Sequence, residues 1–571
     1  MNGSLVLILH THLPYVLHHG TWPHGSEWLC EAAAECYIPL LNECHALLGE
    51  GIVPSLTFSL TPIVVEQLAD PIFPKIFVEW LDNRIAGARD DRIAFGRRSD
   101  DRRMVPLTVF WEEWFTARKR DFTERYRHDL ISAFRSLADQ GAIALQTSAA
   151  THGYLPLLGR DESVRGQLSL AVGSHRRHFG HPPRGLWMPE CAYRPCYDWH
   201  PPVDNPWTPH GVRPGLEQLM AEFDLEYTVV DAHLTRGGRP LGVYSNWFEG
   251  VRDHLPSARR FLPLDDARSV HELYRISSTG SLDRNTPAIF TRDADTTLKV
   301  WSGVYGYPGD PEYLEFHKRH HENGHRYWRV TDAKIDLGMK DLYRPDLVYQ
   351  RLKVQAGHFV GAVNEEMLRY RERTGRMGTL TAPFDTELFG HWWFEGPRFL
   401  GHVIRFVAQT SGALLRTAGE ELDAKNPAVI IQIPEGSWGD GGGHDVWFND
   451  DTAWTWPKIY EIEARFLGLL GNQDPENRIE LRALQQLARE LLLLQSSDWQ
   501  FLITTGSAAD YAAERFNEHY DNAMRLADTL EAIRRKDPVS LAQLEDLFSL
   551  ESVNRPFPLL DLNAWRMKNY E

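Results

Sequence analysis

Seven short apolar segments, each ending in a polar or chemically capable residue, constrain the fold of this chain more than any other feature. They are LVLILHTH (5–12), VPSLTFSL (53–60), AIALQTSAATH (142–152), RGLWMPE (184–190), EYTVVDAH (226–233), AIFTRDAD (288–295) and GTLTAPFD (378–385). Helical patterns separate most of them, for example residues 32–48 and 214–223. Continuous apolar runs that alternate with helices indicate a parallel sheet buried on both faces.

Polar residues at the C-terminal ends of about seven parallel strands are typical of a TIM-like barrel. We therefore expect an α/β protein with an incomplete TIM-like (β/α)7 barrel. A doubly wound open sheet is the competing arrangement. No Gly-rich phosphate loop follows the first strand, which weakens that alternative.

Two regions interrupt the alternation and predict additional domains. Residues 71–140 contain a mixed-charge stretch and then a long helical pattern, which predicts an inserted, mostly helical subdomain. From residue 396 to residue 571 the apolar residues follow a helical spacing, which predicts a helical C-terminal domain. ELRALQQLARELLLLQ, for example, places its leucines on one stripe of a helix. The barrel is then expected over residues 1–70 and 141–395.

Charge and composition limit the partners of the chain. Its 571 residues carry a formal net charge of −17, which disfavours nucleic acid as a partner because phosphates are repelled. The 19 Trp and 20 Tyr residues suit the flat faces of sugar rings. No apolar run is long enough for a membrane helix. Five cysteines without a CxxC pair, and no apolar leader run after Met1, predict a reduced, cytoplasmic protein.

The first strand ends at His10 and His12, which have the spacing of a metal-ligand pair. Residues i and i+2 of a strand point to the same side, so both imidazoles are expected at the barrel mouth. A metal site would need further ligands, and His152, Asp231, His233 and Asp385 are candidates that form no compact motif. From the residues alone, metal binding, polar substrate binding and satisfied core histidines all remain open.

Two carboxylates follow separate strands and are flanked by aromatic residues. Glu190 comes directly after the fourth apolar segment, and Asp385 ends the seventh, before Glu387, His391 and two tryptophans. A pair of carboxyl groups of this kind is what glycosidic-bond chemistry requires. The alternative for Glu190 is a helix N-terminal acid, which is common.

Three further segments add aromatic or acidic residues outside the strands. KVWSGVYGYPGDPEY (299–313) and IPEGSWGDGGGHDVWFNDDTAWTW (433–456) are Gly-rich and hold several tryptophans that suit sugar platforms. QSSDWQFLITTG (495–506) places Asp498 after an apolar helix, where an acid is usually a cap or an ion-pair partner.

Together these stretches resemble glycoside hydrolase family 57, and within it the glycogen (1,4-α-glucan) branching enzymes. HTHLPY, TSAATHGYLPLL, GLWMPECAY, APFDTELFGHWWFEGP and QSSDWQFL look like the five family regions in order, and the resemblance runs from residue 4 to about residue 520. It implies the fold expected above, with the C-terminal domain contributing to the active site. It implies an α-glucan substrate and no metal or organic cofactor.

The resemblance also implies roles for individual residues. Glu190 would be the nucleophile and Asp385 the general acid/base of a retaining mechanism. The substrate-binding residues that it implies are His10, His12, His152 and Asp498 around the reacting sugar, and the stacking residues Trp301, Trp438 and Trp447.

The branching activity itself depends on a loop tyrosine that favours transfer in the branching subgroup. The corresponding region here is residues 233–264, where Tyr244 is the candidate for that tyrosine. The alternatives are an α-amylase or 4-α-glucanotransferase of the same family, a metal-dependent barrel hydrolase built on the two histidines, and a glucan-binding protein without turnover. We expect a monomer or a weak oligomer that acts in glycogen biosynthesis.

Overall fold

The computed structural model describes residues 2–21, 23–238, 240, 262–280, 286–471 and 476–566. Tyr244, the candidate loop tyrosine, lies outside these residues. Among the residues described, no helix combines the length and apolar composition needed to cross a lipid bilayer.

The described residues contain twelve strands, most of them short. They are β1 (Gly3–Thr11), β2 (Leu56–Leu60), β3 (Ile143–Ser148), β4 (Leu186–Trp187), β5 (Tyr197–Trp199), β6 (Gly211–Arg213), β7 (Tyr227–Val230), β8 (Tyr274–Ile276), β9 (Ala288–Thr291), β10 (Gly378–Asp385), β11 (Ala413–Leu415) and β12 (Ile430–Ile431). Seven of them, β1 to β4, β7, β9 and β10, are the seven strands predicted from the apolar segments.

Eighteen α-helices accompany these strands in the described ranges. They are α1 (Ser26–Ala32), α2 (Ile38–Gly49), α3 (Pro62–Leu68), α4 (Phe73–Arg97), α5 (Val105–Arg120), α6 (Leu130–Asp139), α7 (Asp161–Phe179), α8 (Leu216–Ala221), α9 (Ala232–Arg236), α10 (Ala294–Trp301), α11 (Pro345–Thr374), α12 (Gly396–Gln409), α13 (Ala418–Lys425), α14 (Thr455–Leu470), α15 (Arg478–Leu494), α16 (Asp498–Thr505), α17 (Ala509–Arg534) and α18 (Leu541–Val553). A π-helix, Ala33–Tyr37, joins α1 to α2.

The seven predicted strands form a ring of parallel neighbours. Five pair directly in the order β10-β1-β2-β3-β4, and β7 pairs with β9 in a second sheet. Among the described residues, the two arcs are joined by single parallel bridges, Gly185 with Tyr227 and Arg292 with Thr381. The predicted incomplete TIM-like barrel is confirmed, and its weak points are these two junctions.

Strand β1 lies between β10 and β2 in the larger sheet, and every residue of it is buried. Its register places His10 opposite Asp385 of β10 and opposite Ser59 of β2. Polar ends of three neighbouring strands therefore meet at one edge of the barrel, as the strand-end residues predicted.

Helices outside the barrel lie where the sequence breaks the alternation. Between β2 and β3, α4 and α5 pack against each other as a helical hairpin. Near the C-terminus, α17 packs against α14, α15 and α16. Beyond residue 396 the chain still pairs β11 with β1 and β12 with β8. The limits of the three domains stay predictions.

The junction between β4 and β7 yields a first prediction, because it needs a glycine at residue 185. A Cβ atom there would lie 2.3 Å from two ring carbons of Tyr227. We expect Gly185→Ala to lower the melting temperature, with an overpacking cost of roughly 1–3 kcal/mol. Gly173→Ala on α7 is the matched control, because a Cβ there meets no atom within 4 Å, and it should leave the melting temperature equal or higher. Calorimetry at one scan rate makes the comparison. An unchanged melting temperature for Gly185→Ala would contradict the tight junction.

Candidate active site

A cavity of about 350 Å³ opens at the strand-end edge of the barrel. It brings together eight of the ten residues that the sequence analysis assigned to the site, namely His10, His12, His152, Glu190, Trp301, Asp385, Trp438 and Asp498. These residues come from strands, loops and a C-terminal helix spread over almost 500 positions. The remaining two are Trp447, which does not line the cavity, and Tyr244, which lies outside the described residues.

Glu190 is held in an unusual backbone conformation just after β4. Its φ of 61° and ψ of 24° are left-handed, and Cys191 follows with a φ of 49°. Non-glycine residues seldom adopt this region, and those that do cluster at functional sites. Pro189 precedes the turn. The side chain of Glu190 lines the cavity. Because a left-handed residue cannot continue a right-handed helix, this segment does not form a longer helix.

The loop that carries Trp438 locks this turn from the other side. The Trp438 backbone N–H donates to the Glu190 carbonyl oxygen at 3.1 Å, and Tyr193 pairs with Gly436. The Trp438 indole Nε1–H donates to Glu190 Oε2 at 2.8 Å. A donor in this position favours the ionised carboxylate. Trp438 therefore contacts the predicted nucleophile directly, a contact that the sequence did not suggest.

Asp385 has the opposite electrostatic environment. It ends β10, and burial raises the pKa of its carboxyl group well above the ordinary value, with further increases from the charges of Glu190 and Glu387. A carboxylic acid with a raised pKa stays protonated near neutral pH and can donate a proton. Two carboxyl groups with different environments in one cavity are the arrangement expected of an acid and a nucleophile.

His10 and His152 form a neutral hydrogen-bonded pair in the cavity wall. Their Nε2 atoms are 2.9 Å apart, so one ring donates and the other accepts. The outer nitrogens contact hydroxyl groups, His10 Nδ1 at 3.3 Å from Ser59 Oγ and His152 Nδ1 at 2.8 Å from Ser497 Oγ. Burial lowers the pKa of both histidines well below the ordinary value. Neutral imidazoles suit hydrogen bonding to sugar hydroxyl groups.

His12 connects the barrel to the C-terminal helices. Its Nε2–H donates to Asp498 Oδ2 at 2.9 Å, and its Nδ1 accepts from the Thr61 hydroxyl at 3.2 Å. Its ring stacks on His152 with centroids 3.9 Å apart. Asp498 begins α16, so the helical C-terminal part supplies a cavity residue.

A metal site built on His10 and His12 would need further ligands close to both rings. Among the described residues, no group of three ligand atoms that includes either histidine lies close enough to share one ion. In the described part of the chain, the group of three side chains with ligand atoms close enough to share one ion is Asp91, His320 and Glu322. None of these residues lines the cavity.

The remaining predicted tryptophans pack inside the protein. Trp301 is buried beside Trp438 with ring centroids 5.6 Å apart in an edge-to-face contact, and its indole donates to the Pro383 carbonyl oxygen at 3.3 Å. Trp447 is fully buried and stacks on Tyr154 with centroids 4.4 Å apart. Trp301 therefore reaches the cavity, whereas Trp447 does not line it.

Several cavity residues were assigned no role from the sequence. Trp28, Phe316, Trp392 and Phe501 add aromatic surface to the lining. Glu387 adds a fourth carboxyl group beside those of Glu190, Asp385 and Asp498, and its Oε1 accepts from the Tyr37 hydroxyl at 2.7 Å. Glu387 and Trp392 stand in the same motif as Asp385, and Phe501 stands in the same motif as Asp498. Trp28 and Phe316 come from segments with no pattern that links them to the cavity.

Glu387 provides a prediction about pH and stability. Burial raises its pKa to about 7. Between the ordinary pKa and this value the folded state binds a proton that the unfolded state has lost, so the stability contribution of Glu387 falls as pH rises through that window. The loss amounts to about 3 kcal/mol when complete. Glu387→Gln should therefore match the wild-type melting temperature near pH 4.5 and exceed it at pH 8.

Differential scanning calorimetry across this pH range provides the measurement for Glu387→Gln. Glu365→Gln, on an exposed face of α11, is the control and should leave the wild-type pH dependence unchanged. A constant difference between Glu387→Gln and wild type at all pH values would contradict the assigned pKa.

Comparison with known proteins finds relatives over the whole chain. A sequence profile described as glycosyl hydrolase family 57 matches residues 6–333, and one described as 1,4-alpha-glucan branching enzyme, C-terminal, matches residues 458–565. The 1,4-alpha-glucan branching enzyme TK1436 of Thermococcus kodakarensis is 38% identical over 576 residues, which cover 100% of this chain and 80% of the relative.

Solved structures agree with the fold. The structure of TK1436, described as a GH57 branching enzyme in complex with glucose and additives, has a TM-score of 0.89 at 37% identity and covers 100% of this chain and 97% of that one. A GH57-type branching enzyme from Pyrococcus horikoshii has a TM-score of 0.87 at 36% identity, with the same coverage. The alpha-amylase AmyC of Thermotoga maritima has a TM-score of 0.79 at 26% identity and covers 99% of both chains.

Proposed function

This chain belongs to glycoside hydrolase family 57, and from that premise we propose that its cavity carries out 1,4-α-glucan branching. The enzyme cleaves an α-1,4-linked glucan and transfers the released chain to a 6-hydroxyl group, which creates an α-1,6 branch. The observation that carries this function is that Glu190 and Asp385 line one cavity, where burial raises the pKa of the Asp385 carboxyl group. Relatives that cover the whole chain and are named branching enzymes support it.

The first half-reaction breaks the glucan. Asp385 donates its proton to the glycosidic oxygen while the Glu190 carboxylate attacks the anomeric carbon, so the C–O bond breaks and a glycosyl ester forms. The Trp438 indole that donates to Glu190 Oε2 holds the carboxylate in place for this attack. A retaining mechanism needs the two carboxyl groups about 5–5.5 Å apart.

The second half-reaction forms the branch. Asp385, now ionised, takes the proton of the acceptor 6-hydroxyl, and the acceptor oxygen displaces Glu190 from the anomeric carbon. His10, His12, His152 and Asp498 bind the sugar hydroxyl groups at the reacting ring, and Trp301 and Trp438 line its apolar side.

Water competes with the acceptor for the glycosyl ester. If water wins, the product is a shorter linear chain, which is the outcome of an amylase. The cavity lining is rich in aromatic side chains, among them Trp28, Phe316, Trp392 and Phe501. Such a lining excludes water and offers stacking surfaces to an acceptor glucan, which favours transfer. Tyr244 is proposed as the loop tyrosine that adds to this shielding.

Further aspects of the proposal concern the setting of the enzyme. The substrate is an α-glucan such as amylose or a glycogen-like polymer, and the reaction serves glycogen biosynthesis. We propose a cytoplasmic protein that is a monomer or a weak oligomer and needs neither a metal ion nor an organic cofactor for this reaction.

Variants of the two carboxyl groups test the assignment. Asp385→Asn should lower the transfer rate by roughly 10²–10⁴-fold, because proton donation is lost.

Glu190→Gln should lower the transfer rate by more than about 10³-fold, because no glycosyl ester forms. Azide should restore turnover in Glu190→Ala with inversion at the anomeric carbon. Glu365→Gln is the matched control and should keep wild-type activity. Wild-type activity in Glu190→Gln would remove Glu190 from its role.

Product analysis separates branching from the amylase alternative. We expect incubation with amylose, followed by isoamylase debranching and chain-length analysis, to release new short chains that come from α-1,6 branches. The reducing ends formed before debranching measure hydrolysis in parallel. If all products are linear and isoamylase releases no further chains, the protein is an α-amylase, the activity for which the similar protein AmyC is named.

A further inference from the structure

A long connection between α10 and α11 depends on the helical hairpin of α4 and α5 for its position. In the described residues this connection has two short 3₁₀ turns, Tyr307–Gly309 and Leu337–Met339, and isolated bridges such as Trp328 with Leu342. It nevertheless carries Phe316, which lines the cavity. Whatever fastens this connection to the hairpin also positions part of the cavity wall.

Side chains of α4 and α5 donate hydrogen bonds to backbone carbonyl oxygens of this connection. Arg84 donates from Nη1 to the Asn323 carbonyl oxygen at 3.0 Å and from Nη2 to the Gly324 carbonyl oxygen at 3.2 Å. Trp111 of α5 donates its indole N–H to the Arg326 carbonyl oxygen at 2.6 Å. These contacts bring residues 320–327 against one fully buried carboxylate.

That carboxylate is Asp91, which lies in the middle of α4 and is 0% exposed. Its Oδ1 accepts from Asn323 Nδ2 at 2.7 Å, and its Oδ2 accepts from the Tyr327 hydroxyl at 2.6 Å. Two imidazole nitrogens also face it, His320 Nδ1 at 3.1 Å from Oδ1 and His325 Nδ1 at 3.4 Å from Oδ2. Neither Nδ1 atom makes a hydrogen bond of acceptable geometry.

His325 presents a ring nitrogen to the same carboxylate. The ring is 1% exposed, and its Nε2–H donates to the Arg84 carbonyl oxygen at 3.0 Å. This hydrogen bond fixes the ring so that Nδ1 faces the Asp91 carboxylate, 3.4 Å from Oδ2. A histidine that donates one ring nitrogen to a backbone carbonyl and offers the other is the usual arrangement around bound metal ions.

We propose that Asp91, His320 and Glu322 bind a divalent transition-metal ion of the zinc class, with His325 beside it. The ligand atoms of the three residues all lie within 4.8 Å of one another. Two ligands of a tetrahedral zinc ion are roughly 3.3 Å apart, so small side-chain movements bring the set to one ion. Imidazole together with carboxylates favours zinc over magnesium or calcium.

The ion would act as a staple and not as a catalyst. Asp91 belongs to the hairpin, whereas His320 and Glu322 belong to the connection, so one ion joins the two. Its binding free energy would then order residues 310–344 against α4, including the segment that ends at Phe316. The proposal does not rest on the function proposed above, because it concerns residues outside the cavity.

Zinc titration of the full-length protein tests the proposal. Metal-free protein, prepared by dialysis against a chelator, is titrated with ZnCl₂ in a calorimeter, and bound zinc is counted by elemental analysis. We expect one equivalent to bind. His320→Gln and Glu322→Gln should each weaken binding at least tenfold, and both residues have partly exposed or exposed side chains, so these variants should fold.

A second readout separates a staple from adventitious zinc. Hydrogen–deuterium exchange of residues 310–344 should slow on zinc addition in the wild type and stay unchanged in His320→Gln. His210→Gln is the control, because His200 and His210 are exposed and their rings lie 5.2 Å apart, as in many chance zinc sites. Zinc binding that is unaffected by His320→Gln and Glu322→Gln, or lost in His210→Gln, overturns the proposal. Absence of stoichiometric zinc binding overturns it as well.

Discussion

The parallel pairing of β1 with β10 and β2 is the constraint on which the rest of this structure depends. It aligns His10 with Asp385 and with Ser59, so that three strand ends meet at one edge. A shift of one residue would turn every side chain of β1 to the opposite face. Because β1 is buried along its whole length, such a shift would exchange the side chains of its two buried faces and force both packed layers to repack, which costs packing free energy. The geometry of the site is thus inherited from the packing of an apolar strand.

The barrel alone does not complete the cavity. From the C-terminal part of the chain, Asp498 lines the cavity and accepts from His12 Nε2, and Ser497 contacts Nδ1 of His152 through its hydroxyl group. Trp438 reaches the cavity from the Gly-rich loop and holds Glu190. Each of these contacts joins segments more than 240 positions apart in sequence. The cavity therefore exists only when barrel, loop and C-terminal helices are assembled.

The sequence predicted the positions of the strands correctly, but it did not predict the side-chain contacts between distant segments. Continuous apolar runs with functional ends are local patterns, and all seven became barrel strands. Glu190 and Asp385 were found because they end such runs. The hydrogen bond from Trp438 to Glu190 and the raised pKa of Glu387 could not be predicted, because both result from burial and from distant partners. Trp438 and Trp447 stand in the same Gly-rich segment, so the sequence did not distinguish them. In the structure, Trp438 lines the cavity, whereas Trp447 is buried against Tyr154.

The Asp91 cluster had no sequence signal for the same reason. Its carboxylate stands in a mixed-charge stretch that is typical of a solvated helix face, and the stretch as a whole is largely that. One aspartate of this stretch is buried by a connection that arrives more than 220 positions later. A charge pattern describes the average exposure of a helix, whereas a buried acid depends on which segment covers it.

The left-handed backbone of Glu190 has a consequence for the descent of such proteins. At this φ a glycine or an asparagine is relaxed, whereas glutamate is strained, so the residue at position 190 stands against the local preference of the chain. In the role proposed for Glu190, selection for the carboxylate keeps it there. In a lineage released from that selection, drift at this one position would lead toward the small residues that the turn prefers, and the fold would gain stability as its chemistry disappeared. Glycine or asparagine at the corresponding position is therefore the mark by which a retired relative can be told from a working one.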